Sequence, residues 1–140
     1  MQNTSILLPM LIQVSLTLFI FILLGIRKSS AIKAGGVDRT KTALNNSAWP
    51  ESVLKVSNNI ANQFQTPILF YVLCIMFLLT NTVSTAIYVL AWVYSISRVS
   101  HAFVHVSSNF IPARFGIFTI GVVCLIAMTV LAYINLPVFI

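Results

Sequence analysis

Four stretches of the sequence are predominantly apolar, and each is long enough to cross a bilayer. They cover about residues 6–26, 58–79, 86–106 and 115–136. An α-helix rises about 1.5 Å per residue, so about 20 apolar residues cross the hydrocarbon layer. Polar segments separate the four stretches at 27–50, 80–85 and 107–114. The pattern predicts an all-α membrane protein in which residues 1–140 form one domain of four transmembrane helices.

The polar and breaking residues refine these elements. The first apolar run has no basic residue before it and no small-residue cleavage site after it, so we interpret it as a retained span and not a signal peptide. Residues 27–49 are polar and predict a loop. Pro50 suits the first turn of a helix, which we expect to run unbroken through Pro67 to about Leu79, since membrane helices tolerate proline.

Composition and charge place the chain in lipid. Hydrophobic residues make up 59% and charged residues only 7%, against about 25% charged in soluble domains. Membrane lipids are therefore expected partners. Six of the eight Lys and Arg residues lie between 27 and 55, which predicts a cytoplasmic loop over 27–50 and both termini on the non-cytoplasmic side. A basic cluster can also bind nucleic acid, but we expect no such partner for one set between two apolar spans.

The third span carries ionisable residues. At about 100° per residue, Tyr94, Arg98, His101 and His105 fall within an arc of about 60°. Ionisable groups in membranes face the protein interior or a cavity. The stripe is then either a hydrogen-bonded network that fixes helix packing or one wall of a ligand cleft near the cytoplasm. Because one stripe on one helix defines no pathway, proton translocation through the histidines is less favoured.

The second helix carries two adjacent amide stripes. Asn58, Asn62 and Gln65 share one face, and the neighbouring stripe holds Asn59, Gln63 and Thr66. These amides either lie solvated among the headgroups or line a polar pocket, in which each can donate and accept.

Two arginines lie at helix ends. Arg27 ends the first span and Arg114 begins the fourth. Each either anchors its helix at the interface or binds a carboxylate, which a guanidinium matches with two hydrogen bonds.

Several chemistries lack the residues they need. The only carboxylates, Asp38 and Glu51, lie in or near the first loop, so two histidines alone predict no metal site. We find no nucleophile with a base and a carboxylate, and no phosphate loop, which argues against acyl transfer and nucleotide chemistry. Cys74 and Cys124 fall in apolar runs and are expected to be small buried hydrophobes.

Two local motifs in order, "NNIANQFQTPILFYVL" and "AWVYSISRVSHAFVHVSSNFIPARF", resemble the membrane-associated proteins in eicosanoid and glutathione metabolism, the MAPEG family, and its bacterial members most. The resemblance implies a left-handed four-helix bundle that forms a homotrimer, here in a bacterial inner membrane. It also implies that glutathione, as co-substrate, lies between subunits toward the cytoplasm. The resemblance further implies that an arginine holds the glutathione thiol as a thiolate and that a lipophilic small molecule arrives from the bilayer.

The family motifs map onto numbered positions. The helix-two motif of glutathione-using members, Arg, three residues, Asn, two residues, Glu, corresponds here to Asn58, Asn62 and Gln65, so only the Asn is retained. A charged hydrogen bond contributes about 1.5–3 kcal/mol and a neutral one about 0.5–1.5 kcal/mol. Because neutral amides replace the Arg and the Glu, we expect a lower affinity for glutathione.

The second motif is better retained. Arg98 matches, and His101 and His105 lie where other members carry tyrosines or histidines. Arg114 lies where the thiolate-stabilising arginine belongs and is the catalytic candidate. The other predicted cofactor-binding residues are Arg27 and Tyr94.

Two functions remain open. The first is a membrane glutathione (or other thiol) transferase or peroxidase that acts on lipophilic substrates. The second is a non-catalytic scaffold or lipid-binding protein that has lost glutathione.

Overall fold

The structure is a computed structural model that describes residues 3–135. Its helices are α1 (Leu7–Lys33), α2 (Arg39–Leu44), α3 (Glu51–Gln63), α4 (Thr66–Leu79), α5 (Thr85–Val106) and α6 (Ile111–Asn135), with short 3-10 turns over Asn3–Ile6 and Asn46–Ala48. Four segments are long and apolar enough to span a membrane: Asn3–Lys33, Glu51–Leu79, Thr85–Val106 and Ile111–Asn135. The predicted all-α, four-span architecture is confirmed. The predicted end of the fourth span at 136 lies outside the described residues.

The outer surface of the bundle is apolar. Leu18, Val72, Ile96 and Ile126, one on each spanning segment, are all 59% exposed. In water a continuous apolar surface of this kind would drive association. Around a bundle of transmembrane helices, the same surface is matched by lipid chains, so it fits an integral multi-pass membrane protein.

The core forms around α5, which has nine buried residues. The ring of Tyr94 stacks on Phe70 of α4, with centroids 4.4 Å apart. On the other side α6 approaches closely at Gly121, where an added Cβ would lie 3.1 Å from Ser97 Oγ and 3.6 Å from the Tyr94 ring. Both cysteines, Cys74 and Cys124, are buried in this core.

The polar segment after the first span has more structure than the sequence predicts. Helix α1 continues six residues past Arg27, and its last carbonyls, those of Ser30 and Ile32, accept from Ala34 and Gly35. Asp38 then caps α2 by accepting from the amides of Thr40 and Lys41. The residues predicted as one loop therefore fold into a helical extension and a short helix.

The second spanning segment is broken, so the prediction of an unbroken helix over 50–79 is wrong at one point. Helix α3 ends at Gln63, and α4 begins at Thr66. Pro67 is the cause, because it has no N–H for the carbonyl of Gln63 and restricts the residue before it. Gln65, between the two helices, has a non-helical conformation, φ −101° and ψ −100°.

Candidate functional site

The stripe on α5 faces the protein interior, in agreement with the helical periodicity. Tyr94, Arg98, His101 and His105 are each at most 3% exposed. Tyr94 Oη donates to Thr66 Oγ1 (3.1 Å), and Arg98 Nη2 donates to the carbonyl of Asn62 (3.1 Å). Both partners flank the α3–α4 break, where α5 donates one bond to a side-chain hydroxyl and one to a backbone carbonyl.

Aromatic contacts hold the next part of the stripe. The rings of His101 and His105 meet edge to face, with centroids 5.7 Å apart. Phe118 of α6 packs against His101 and Arg98. Its ring centroid lies 5.9 Å from that of His101 and 5.7 Å from the guanidinium carbon of Arg98. This packing restricts the side chains while leaving most of their polar atoms free.

Unpaired polar atoms concentrate at this place. Within residues 3–135, seven buried side-chain nitrogen and oxygen atoms have no hydrogen-bond partner. Five of the seven are Arg98 Nε and Nη1, His101 Nδ1, His105 Nδ1 and Arg114 Nε. A buried polar group without a partner costs about 1–3 kcal/mol, so hydrogen bonds to these five atoms would favour a polar ligand here.

Arg114 closes the site from α6. It is half-buried, and its Nη1 donates to Asn109 Oδ1 at 2.6 Å. Asn109 has a positive φ of 55° in the turn between α5 and α6, a conformation that asparagine tolerates better than most residues. The turn thus aims an amide oxygen at the guanidinium and fixes its direction.

Two adjoining cavities open beside these residues and share Asn62 and Arg114. One, of about 470 Å³, is lined by Glu51, Leu54, Lys55, Asn58, Ala61, Asn62, His105, Asn109 and Arg114. The other, of about 340 Å³, is lined by Asn62, Gln65, His101, Ile111, Arg114, Phe115 and Phe118. We call them the polar cavity and the aromatic cavity.

The sequence-predicted residues divide into three groups. The cavities bring together Asn58, Asn62, Gln65, His101, His105 and Arg114. Tyr94 and Arg98 lie behind the cavity wall, joined to it through Thr66 and Asn62. Arg27 is not brought to them within one subunit, because it lines a separate cavity of about 600 Å³ with Ser30, Gly36 and Pro50.

A comparison with protein families agrees with this architecture. The sequence model of the MAPEG family matches residues 6–134. The chain belongs to the MAPEG family. Neither a curated protein nor a solved structure matches it.

The charge in the cavities of this MAPEG chain favours anions. Lys55 is neutralised by Glu51, with Nζ 2.9 Å from Oε1. Arg114 and Arg98 have no such partner, because the only other acidic residue, Asp38, pairs with Lys41.

The two amide stripes of this MAPEG chain differ in burial. Asn58 and Gln65 are exposed and Asn62 is half-buried, whereas Asn59 and Gln63 are buried. The buried pair forms a chain of hydrogen bonds with Gln13: Gln13 Nε2 donates to Gln63 Oε1 (2.8 Å), and Gln63 Nε2 donates to Asn59 Oδ1 (2.8 Å). Asn59 Nδ2 completes it by donating to the carbonyl of Ala102 (3.0 Å).

Some contributors were missed from the sequence. Gln13 is a polar residue inside the first apolar run, and that interruption was a usable signal. Asn109 stands in a polar turn, where asparagine commonly adopts positive φ. Phe118 carried no signal, since it is one apolar residue among many in its span. Within residues 3–135 no three His, Cys, Asp or Glu residues group as metal ligands would.

Proposed function

We propose that this protein is a membrane-bound transferase or peroxidase that uses glutathione or another small thiol on lipophilic substrates. The observation that carries the proposal is the cluster of five unpaired buried polar atoms beside the polar and aromatic cavities. Glutathione carries two carboxylates and a thiol, and free guanidinium and imidazole groups are the partners that such a ligand requires.

Arg114 is the residue we assign to the thiol. A free thiol has a pKa of about 8.5, and adjacent positive charge lowers it toward neutrality. Arg114 lines both cavities, and its Nε is unpaired while Asn109 holds its Nη1. In the transfer reaction the thiolate sulfur would then form a bond to an electrophilic carbon of the substrate while the bond from that carbon to its leaving group breaks, and the leaving group would depart as an anion with the bonding electron pair.

The aromatic cavity offers the route for the lipophilic substrate. Its apolar lining residues Ile111 and Phe115 are each 71% exposed on the outer surface of the bundle. An apolar molecule dissolved in the bilayer can reach Arg114 along this wall without crossing water. This arrangement supports a reaction between a thiol from the polar side and a substrate from the lipid side.

We infer further that the working form is a homotrimer. Arg27 faces a cavity of its own, and in the assembly that the family resemblance implies, an arginine at this helix end would complete the site of a neighbouring subunit. The basic residues between 27 and 55 support an inner-membrane orientation with this segment in the cytoplasm and both termini outside.

One observation favours the non-catalytic alternative. Asn58 and Gln65 are neutral and exposed where glutathione-using relatives carry Arg and Glu. The ammonium and one carboxylate of glutathione would lose charged partners. A scaffold or lipid-binding protein on the same fold would not need those charges.

Equilibrium binding of glutathione to the purified protein in nanodiscs, measured by isothermal titration calorimetry, tests the proposal. We expect saturable binding at millimolar thiol, weakened at least tenfold by Arg114→Gln, which removes the guanidinium that lines both cavities, and unchanged by the control Lys33→Gln, which removes a cation outside both cavities. No saturable binding by an intact trimer would overturn the proposal. If binding appears only in Asn58→Arg with Gln65→Glu, the non-catalytic alternative is correct.

A further inference from the structure

A separate basic pocket lies where the end of α1 meets α2. It has a volume of about 440 Å³ and is lined by Lys28, Ile32, Arg39, Thr42, Ala43 and Trp49. We propose that it binds the phosphate group of an anionic phospholipid at the membrane surface. The inference is independent of the thiol chemistry, because none of these residues lines the polar or the aromatic cavity.

The pocket is held in shape by local contacts. Lys28 Nζ lies 4.9 Å from the centroid of the Trp49 ring, which fixes the ammonium by a cation–π interaction. Asp38 caps α2 through the amides of Thr40 and Lys41 and through the Thr40 hydroxyl (2.6 Å). The cap sets the direction of α2, so Arg39 and Thr42 face the same pocket as Lys28.

The charge balance of the chain leaves this pocket without an acidic side chain of its own. The sequence has only two acidic residues. Asp38 pairs with Lys41 (3.8 Å) and Glu51 with Lys55 (2.9 Å). No carboxylate side chain remains for Lys28 and Arg39, whose charges therefore add within one pocket. Two cations with a hydroxyl beside them are a donor set suited to a phosphate.

The position of the pocket favours a lipid over a free anion. The apolar run of α1 ends at Arg27, so Lys28 lies at the edge of the hydrocarbon layer. Tryptophan prefers this interface. Ile32 and Ala43 give the pocket apolar walls, and the neighbouring Leu44 of α2 is 97% exposed. A glycerol backbone and the first acyl carbons match these apolar walls, and inorganic phosphate does not.

Trp49 is a local reporter for this ligand. The chain has two tryptophans, so Trp92→Phe leaves Trp49 alone. We would reconstitute this protein in phosphatidylcholine vesicles that contain equal small amounts of either brominated phosphatidylglycerol or brominated phosphatidylcholine, and measure quenching. Each basic residue near a surface contributes on the order of a fivefold preference for anionic lipid, so two predict about 25-fold local enrichment of the brominated phosphatidylglycerol.

Two charge-matched variants make the test specific. Lys28→Gln with Arg39→Gln should abolish the preference, whereas Arg27→Gln with Lys33→Gln, which removes the same charge outside the pocket without freeing a carboxylate, should keep it. Taking the ratio of the two lipids corrects for any change in Trp49 brightness, and circular dichroism checks folding. Equal loss in both variants, or no preference in the parent, would overturn the proposal. If inorganic phosphate removes the preference, the ligand is a free anion and the lipid assignment fails.

Discussion

The buried amide chain makes a sharp prediction about how α3 is held. Gln63 accepts from Gln13 and donates to Asn59, both at 2.8 Å, with all three side chains at most 2% exposed. Gln63→Leu keeps the side-chain size roughly constant but removes both bonds. It leaves Gln13 Nε2 and Asn59 Oδ1 buried without partners. The variant should therefore unfold more readily and let α3 turn away from the cavities.

The expected cost follows from those two orphaned groups. Each buried unsatisfied group costs about 1–3 kcal/mol in soluble proteins. Interhelical hydrogen bonds in membranes average about 0.6 kcal/mol, because the unfolded chain also finds partners. The loss should then lie between about 1 and 3 kcal/mol. Gln13→Leu combined with Gln63→Leu removes one of the two unpaired groups, so the double variant should recover about half of the lost free energy of unfolding.

Denaturant-driven unfolding in mixed micelles, followed by circular dichroism, measures these free energies. Gln65→Leu is the matched control: it is the same substitution two residues on, at an exposed side chain, and should change the free energy of unfolding by less than about 0.5 kcal/mol. If Gln63→Leu is no more destabilising than Gln65→Leu, or if the double variant is simply additive, the chain does not hold α3.

Three further predictions address the site and the basic segment. Arg114→Gln should raise the pKa of a bound thiol by about 1–3 units, and Arg114→Lys by less, as followed by ultraviolet thiolate absorbance; equal thiol pKa values in all three proteins would contradict the assignment. Arg98→Met should weaken thiol binding by tenfold or more. It should leave the ligand-free protein at least as stable, because a buried guanidinium with unpaired nitrogens lowers the free energy of unfolding. A large loss of stability would mean that the hydrogen bond from Arg98 to Asn62 outweighs that burial cost. Hydrogen bonds from the Thr40 side chain and from backbone amides lower the pKa of Asp38 below its ordinary 3.8, so its cap is fully present above that pH and is lost as the pH falls through the lowered value. The Thr40 amide resonance should report fraying of α2 there, and Asp38→Asn should remove the pH dependence.

Hydropathy and periodicity predicted the parts of the fold that depend on one helix at a time. Four spans follow from the length of each apolar run. The inward stripe on α5 follows from 100° per residue, because lipid excludes Arg98 from the outer face. Both inferences need only the residues of the element concerned.

What the sequence could not decide depends on contacts between distant elements. Asn58–Asn62 and Asn59–Gln63 have the same helical spacing, and only the position of Gln13, fifty residues from Gln63, makes the second pair the buried one. Likewise, proline is tolerated in many membrane helices. The break at Pro67 occurs where α5 supplies donors, from Tyr94 and Arg98, for the groups around it.

The break and the candidate site are therefore one structural feature. Helix α3 ends one residue after Asn62, and the carbonyl of Asn62 accepts from Arg98 Nη2 (3.1 Å) as well as from the amide of Gln65 (3.5 Å). The single bond from Arg98 leaves its Nε and Nη1 unpaired, while the side chain of Asn62 lines both cavities. The α3–α4 break therefore lies where α5 anchors Arg98, next to the residue that lines both cavities.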